Sequence, residues 1–78
     1  MKKYEKLLQK LNGKSRDVVL DRMRRLRAGD TVGLNIKRID TNYFRCRAGN
    51  YRIFFSYENG TIRIDDVKKR NEDTYSDI

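Results

Sequence analysis

The spacing of hydrophobic residues changes partway along this chain, and the change divides it into elements. Tyr4, Leu7, Leu8 and Leu11 recur at i, i+3, i+4 and i+7, one stripe of an amphipathic helix. Lys2, Lys3, Glu5, Lys6, Gln9 and Lys10 fill its other side. Asn12-Gly13 is expected to end that helix, because glycine readily takes the left-handed conformation of a C-terminal cap. Ser15 is the expected N-cap of a second helix. Val19, Met23 and Leu26 form its buried stripe, Val18 and Leu20 flank it, and Gly29 closes it.

After residue 33 the period shortens towards two. Leu34, Ile36 and Ile39 suggest a short, irregular strand. The stretch YFRCRAGNYRIFF (residues 43–55) then alternates, with one turn at Ala48-Gly49-Asn50. As a β-hairpin it sends Phe44, Cys46, Ile53 and Phe55 to one face, and Tyr43, Arg45, Arg47, Arg52 and Phe54 to the other. Asn59-Gly60 between alternating runs is a strong hairpin signal. The next strand is expected from Thr61 to Val67, with Ile62 and Ile64 inward and Arg63 and Asp65 outward. Strict alternation would bury Asp66, so a bulge or the strand's end is expected near Asp65, with Val67 returning to the core. Lys68-Lys69-Arg70 is expected to begin a polar tail that carries Tyr75.

These elements make an α+β fold. A two-helix hairpin lies on one face of an antiparallel sheet of three or four strands, and the chain forms a single domain over residues 1–78. The 78 residues are 37% hydrophobic and 38% charged, so the core must be thin, one sheet face covered by helices. There is no apolar run long enough to span a bilayer and no signal-peptide pattern. One cysteine gives no internal disulfide framework, and a reducing, cytoplasmic setting fits best.

Charge alters the picture more. Lys and Arg total 19 against 11 acids, a net charge of +8, which is an electrostatic footprint for a polyanion. Nucleic acid is the first candidate and a membrane surface a weaker one. The arginines at 16, 22, 24, 25 and 27 on the second helix fit an ordinary solvated helix face better than a grip on RNA phosphates or an acidic partner, since nothing in their spacing selects a ligand. Arg45, Arg47, Arg52 and Arg63 differ, because strand parity gathers them on the open sheet face, with neighbouring strands about 5 Å apart. The chain has no histidine. That removes zinc-finger spacings and the usual general base at neutral pH, and leaves Lys, Arg, Tyr or carboxylates for proton transfer. If the anion is RNA, attack of a ribose 2′-OH on its own phosphate needs in-line geometry, charge stabilisation and proton transfers. Arginines supply the second, and Tyr75 either moves a proton or simply anchors the tail. Such a site needs another body to impose the geometry.

The run YFRCRAGNYRIFFSYENGTIRIDDVKKRNEDTY, preceded by two helices, resembles the RelE/ParE toxin superfamily. That family carries a basic, glycine-containing hairpin ending in Tyr-Arg-Ile/Val, a further strand, a basic pair and a terminal tyrosine. The resemblance implies the toxin of a type II toxin–antitoxin system. RelE-like members are ribosome-dependent, metal-independent endoribonucleases that cut mRNA in the A site and stop translation. The implied catalytic residues are Arg45, Arg52, Arg70 and Tyr75. RNA contacts are expected from Arg47, Arg63, Lys68, Lys69 and Tyr43. The implied partners are mRNA in the ribosomal A site and a cognate antitoxin, with no membrane and no small-molecule cofactor or metal.

Three departures accompany the resemblance. Tyr43 stands where the best-known member has a catalytic lysine. The tail stops three residues after Tyr75. The chain opens on a helix, whereas the family usually opens on a strand that pairs with the last one. Strand 61–67 is therefore expected to keep an open edge, the start being truncated or a partner supplying the strand. Two other functions fit the same fold: a ParE-like, non-hydrolytic inhibitor of DNA gyrase, and an inert RNA- or ribosome-binding module. Arg52, Arg70 and Tyr75 together favour the nuclease.

Overall fold

The computed structural model describes residues 3–69. The element order is α1 (Lys3–Lys10), α2 (Gly13–Arg27), β1 (Ile36–Asp40), β2 (Tyr43–Ala48), β3 (Tyr51–Glu58) and β4 (Thr61–Lys69). The strands form one four-stranded antiparallel meander in the order β1-β2-β3-β4. No helix among the described residues is long and apolar enough to cross a membrane.

The helices begin and end for local reasons, and the first boundary differs from the expectation. Asn12, not Ser15, is the N-cap of α2: its extended backbone (φ −71°, ψ 167°) lets its side-chain oxygen accept from the Ser15 backbone N–H at 2.9 Å. Gly13 is consequently the first helical residue of α2 rather than the left-handed stop of α1. At the far end, Gly29 N–H donates to Leu26 O (3.1 Å) and Asp30 N–H to Arg25 O (2.9 Å). This double closure needs a left-handed residue, and Gly29 supplies φ 79°.

α2 lies across β2, β3 and β4, and α1 packs beside it on β4. Their stripes meet the inward faces of the strands in one core: Tyr4, Leu8, Val19, Met23, Leu26, Cys46, Ala48, Ile53, Phe55, Ile64 and Val67. Val19, Leu26, Cys46, Ile53 and Phe55 are fully enclosed. Burial of a large apolar side chain of this kind stabilises by about 1.5–3 kcal/mol. The Tyr4 hydroxyl accepts from the Arg27 guanidinium at 3.2 Å, tying the start of α1 to the end of α2. Burial pushes the Cys46 thiol up from its ordinary value, against a lowering by Arg22 and Arg25. Cys46 is therefore a packed thiol within the core.

The hairpin register is the one that parity demands. Cys46 faces Ile53, Phe44 faces Phe55, and Arg47 faces Arg52. The β2–β3 turn is tighter than expected: Ala48 pairs with Tyr51, leaving only Gly49 and Asn50, with Gly49 at φ 61°. In β4 the register shifts at Asp65, since Phe54 faces Asp66 while Phe55 faces Ile64. That bulge keeps the Asp66 carboxylate out of the core and returns Val67 to it. β4 runs on through Lys68 and Lys69 instead of giving way to a polar tail at Lys68. Among the described residues β4 has no strand beyond it, so one of its edges is open, as the sequence pattern implied.

β1 lies outside the helical layer and is held through β2. Arg47 N–H extends its ladder to Asn35 O at 3.0 Å. A second bulge at Ile39 pairs Asp40 with Tyr43. The Asn42 side chain then completes the next rung: its amide donates to Tyr57 O (2.9 Å) and accepts from Tyr57 N–H (3.0 Å). This clamp ties the β1–β2 turn to β3 and so fixes β1 against the sheet.

Candidate functional site

The sheet face away from the helices carries a regular array. Its first row is Asn35, Arg47, Arg52 and Lys68, its second is Lys37, Arg45, Phe54 and Asp66, and its third holds Tyr43, Ser56 and Arg63. The first two rows, at the β1–β3 side, enclose an open depression of about 140 Å³ lined by Asn35, Lys37, Arg45, Arg47 and Arg52. Among the described residues four cations and one amide make its wall, and no carboxylate lines it. None of the four cations takes part in an ion pair among the described residues, although six contacts between other described residues are such pairs. Arg45 and Arg52 are half-buried and Arg47 is exposed.

Like charges held across neighbouring strands repel, and an anion placed among them removes that cost. Guanidinium groups match phosphate with paired N–H donors. The depression therefore has the charge and donor chemistry for a phosphodiester and for the extra negative charge that develops when it is attacked.

The structure separates the remaining sequence candidates. Arg63 shares the outward parity of the cluster but faces Ser56, four residues from Arg52 along β3, about 13 Å at strand spacing. It is also paired with Asp65 (2.9 Å) and Glu58 (3.4 Å). Arg63 does not line the depression, and the expectation that it converges with Arg45, Arg47 and Arg52 is corrected. Lys68 stands opposite Arg52 at the rim, 4.0 Å from the Asp66 carboxylate and 5.9 Å from the centre of the Phe54 ring. Lys69 pairs with Tyr51, on the helix-side parity of the sheet and away from the depression.

Tyr43 lies on the outward face but stacks on Phe54, ring centres 5.7 Å apart, instead of entering the depression. Burial first, and the Asp65 and Asp66 carboxylates second, push its hydroxyl above the ordinary tyrosine value. Tyr43 is thus held neutral, with its proton on, at neutral pH. Arg70 and Tyr75 lie outside the described residues. Among the described residues no group of three His, Cys, Asp or Glu side chains is placed to hold a metal ion.

Two lining residues escaped the sequence reading, Lys37 and Asn35. Alternation with Ile36 puts Lys37 on the outward face, but only the register of β1 on β2 brings it opposite Arg45.

No protein-family model and no curated protein matches the sequence. Among solved structures, a chain of the RelB–RelE antitoxin–toxin complex from Methanococcus jannaschii matches with a TM-score of 0.73 at 28% identity, over 90% of this chain and 87% of that one. The chain has a RelE-like fold. Within that RelE-like frame, the depression lies on the sheet face opposite the helices, and the β2–β3 hairpin supplies three of the four described cations that line it.

Proposed function

We propose that this chain is the toxin of a toxin–antitoxin pair and acts as a ribosome-dependent endoribonuclease on mRNA. The observation that carries the reading is the depression itself: Lys37, Arg45, Arg47 and Arg52 converge, no acid among the described residues lines the wall, and the sheet belongs to a RelE-like fold. Arg52 and Arg45, half-buried on adjacent strands, take the scissile phosphate and the charge of its transition state. Arg47, more exposed, holds a neighbouring phosphate. The ribosome supplies in-line geometry that four surface cations cannot impose on a flexible strand, a contribution worth about 7–11 kcal/mol where orientation is ideal. A cognate antitoxin neutralises the toxin by covering the basic face, and the chain works in the cytoplasm, where translating messages are found. Arg70 and Tyr75 are assigned to the same site on the strength of the motif order in the sequence.

The test is inducible expression in bacteria of the wild type and of Arg52→Ala, with primer extension across translated messages. The wild type should arrest growth and create new 5′ ends within coding regions, and Arg52→Ala should create none. Growth arrest without new 5′ ends, accompanied by DNA-damage signalling, would replace the nuclease by a gyrase inhibitor.

A further inference from the structure

Cleaving a phosphodiester through its 2′-OH requires a proton for the departing 5′-oxygen, and most of the described residues lining the depression cannot provide one. Guanidinium groups hold their protons throughout the range in which proteins stay folded, so Arg45, Arg47 and Arg52 neutralise charge without transferring hydrogen. Asn35 is an amide. Tyr43 sits one row away, turned onto Phe54. Among the described lining residues, Lys37 is the one that carries its proton on an alkyl ammonium. It projects from β1 directly opposite Arg45, and it faces Arg45 and Arg47 of β2 and Arg52 of β3 across the hollow. No carboxylate from any of these strands lines the hollow beside it. Its strand is pinned by the Arg47–Asn35 bond on one side and the Asn42 clamp on the other.

We propose that Lys37 is a catalytic residue, the general acid that protonates the leaving 5′-oxygen, an assignment that rests on the nuclease reading above. The 2′-oxygen attacks phosphorus, the P–O2′ bond forms and the P–O5′ bond breaks, and the bonding pair leaves on O5′. The Lys37 ammonium gives O5′ a proton. The proton of the 2′-OH passes to solvent water, and the neutral amine regains a proton from solvent. The products are a 2′,3′-cyclic phosphate and a 5′-hydroxyl, with no change in oxidation state.

The decisive substrate is a message whose cleaved bond carries sulfur in place of the bridging 5′-oxygen, since a thiolate leaves without being protonated. Full-length wild type, Lys37→Arg and Lys37→Ala are compared on ribosomes programmed with the ordinary and the sulfur-bridged message. Loss of a general acid costs roughly 10²–10⁴-fold, so both variants should cut the ordinary message at least about 100-fold more slowly and the sulfur message at the wild-type rate. Lys37→Arg cutting the ordinary message at the wild-type rate would show that charge alone is needed and overturn the assignment. Equal slowing on both messages would reduce Lys37 to positioning, and overturn it also. A wild type inert on both messages would remove the nuclease reading, and the role of Lys37 with it.

Discussion

Removing one cation from the depression should change how RNA binding responds to salt, and the change can be worked out from the array. Among the described residues four cations with no ion-pair partner line the depression, so a single strand laid across it meets these four charges. Single-stranded nucleic acid gives a log–log salt slope of about −0.7 per neutralised phosphate, or about −2.8 for four. Raising salt from 50 to 200 mM should then weaken binding by about 50-fold. Arg52→Ala leaves three contacts, a slope of about −2.1 and a loss of about 18-fold over the same range. Arg63→Ala removes the same formal charge from the same face. Arg63 is already engaged by Asp65 and Glu58, so this change should leave the slope near −2.8, within about 0.2. Fluorescence anisotropy of a short labelled single-stranded RNA, titrated at several salt concentrations, measures all three slopes. Equal slopes for Arg52→Ala and Arg63→Ala would refute the division of the sheet face into an anion-binding end and a self-neutralised end.

The corrected helix cap predicts that Asn12→Ala costs about 0.5–2 kcal/mol of stability. Ser15→Ala costs far less, because Ser15 contributes only its backbone N–H to the cap; urea unfolding of the two variants compares them directly. Phe55→Ala should cost about 3–5 kcal/mol, since its ring is fully enclosed beneath α2. Arg52→Ala should shift stability by less than about 0.5 kcal/mol, so its loss of RNA cleavage is not a loss of fold. The Tyr43 hydroxyl is raised above 10.0 by burial and then by Asp65 and Asp66. The fold therefore favours its neutral form, and that stabilisation is present below pH 10.0 and lost as pH rises through the raised value. Ultraviolet titration should show one tyrosine ionising late, and Asp65→Asn should bring it only part of the way back. A Tyr43 that ionises at or below its ordinary value would contradict the placement.

Much of this architecture is legible in the sequence because period-two alternation and turn chemistry agree over residues 43–67. Arg45, Arg47 and Arg52 had to share a face once Cys46, Ile53 and Phe55 shared the other. A break in alternation near Asp65 also followed from the cost of burying the Asp66 carboxylate, although the sequence left open whether it was a bulge or the strand's end. The start of α2 was not legible for a local reason. Asn-Gly serves equally well as a helix stop or as a cap followed by a first turn, and the choice depends on whether the asparagine side chain finds the Ser15 N–H. Arg63 was placed on the right face but at the wrong height, since parity does not reveal how far along a strand a residue sits. The nearby Glu58 and Asp65 were visible as possible partners, and they decide its role. Lys37 went unseen because it lies in the least regular strand, where the Ile39 bulge interrupts alternation. Only the register of β1 on β2 brings it to Arg45.

The central claim is that the depression formed by Lys37, Arg45, Arg47 and Arg52 cleaves mRNA on the ribosome. It is tested most directly in a reconstituted translation reaction containing purified full-length protein, a defined message and ribosomes, with cuts mapped by primer extension. The wild type should cut the message inside its coding region only when ribosomes are present, and Arg52→Ala, equally folded, should leave it intact. A message that stays whole under wild-type protein, or one cut equally by Arg52→Ala, would contradict the account.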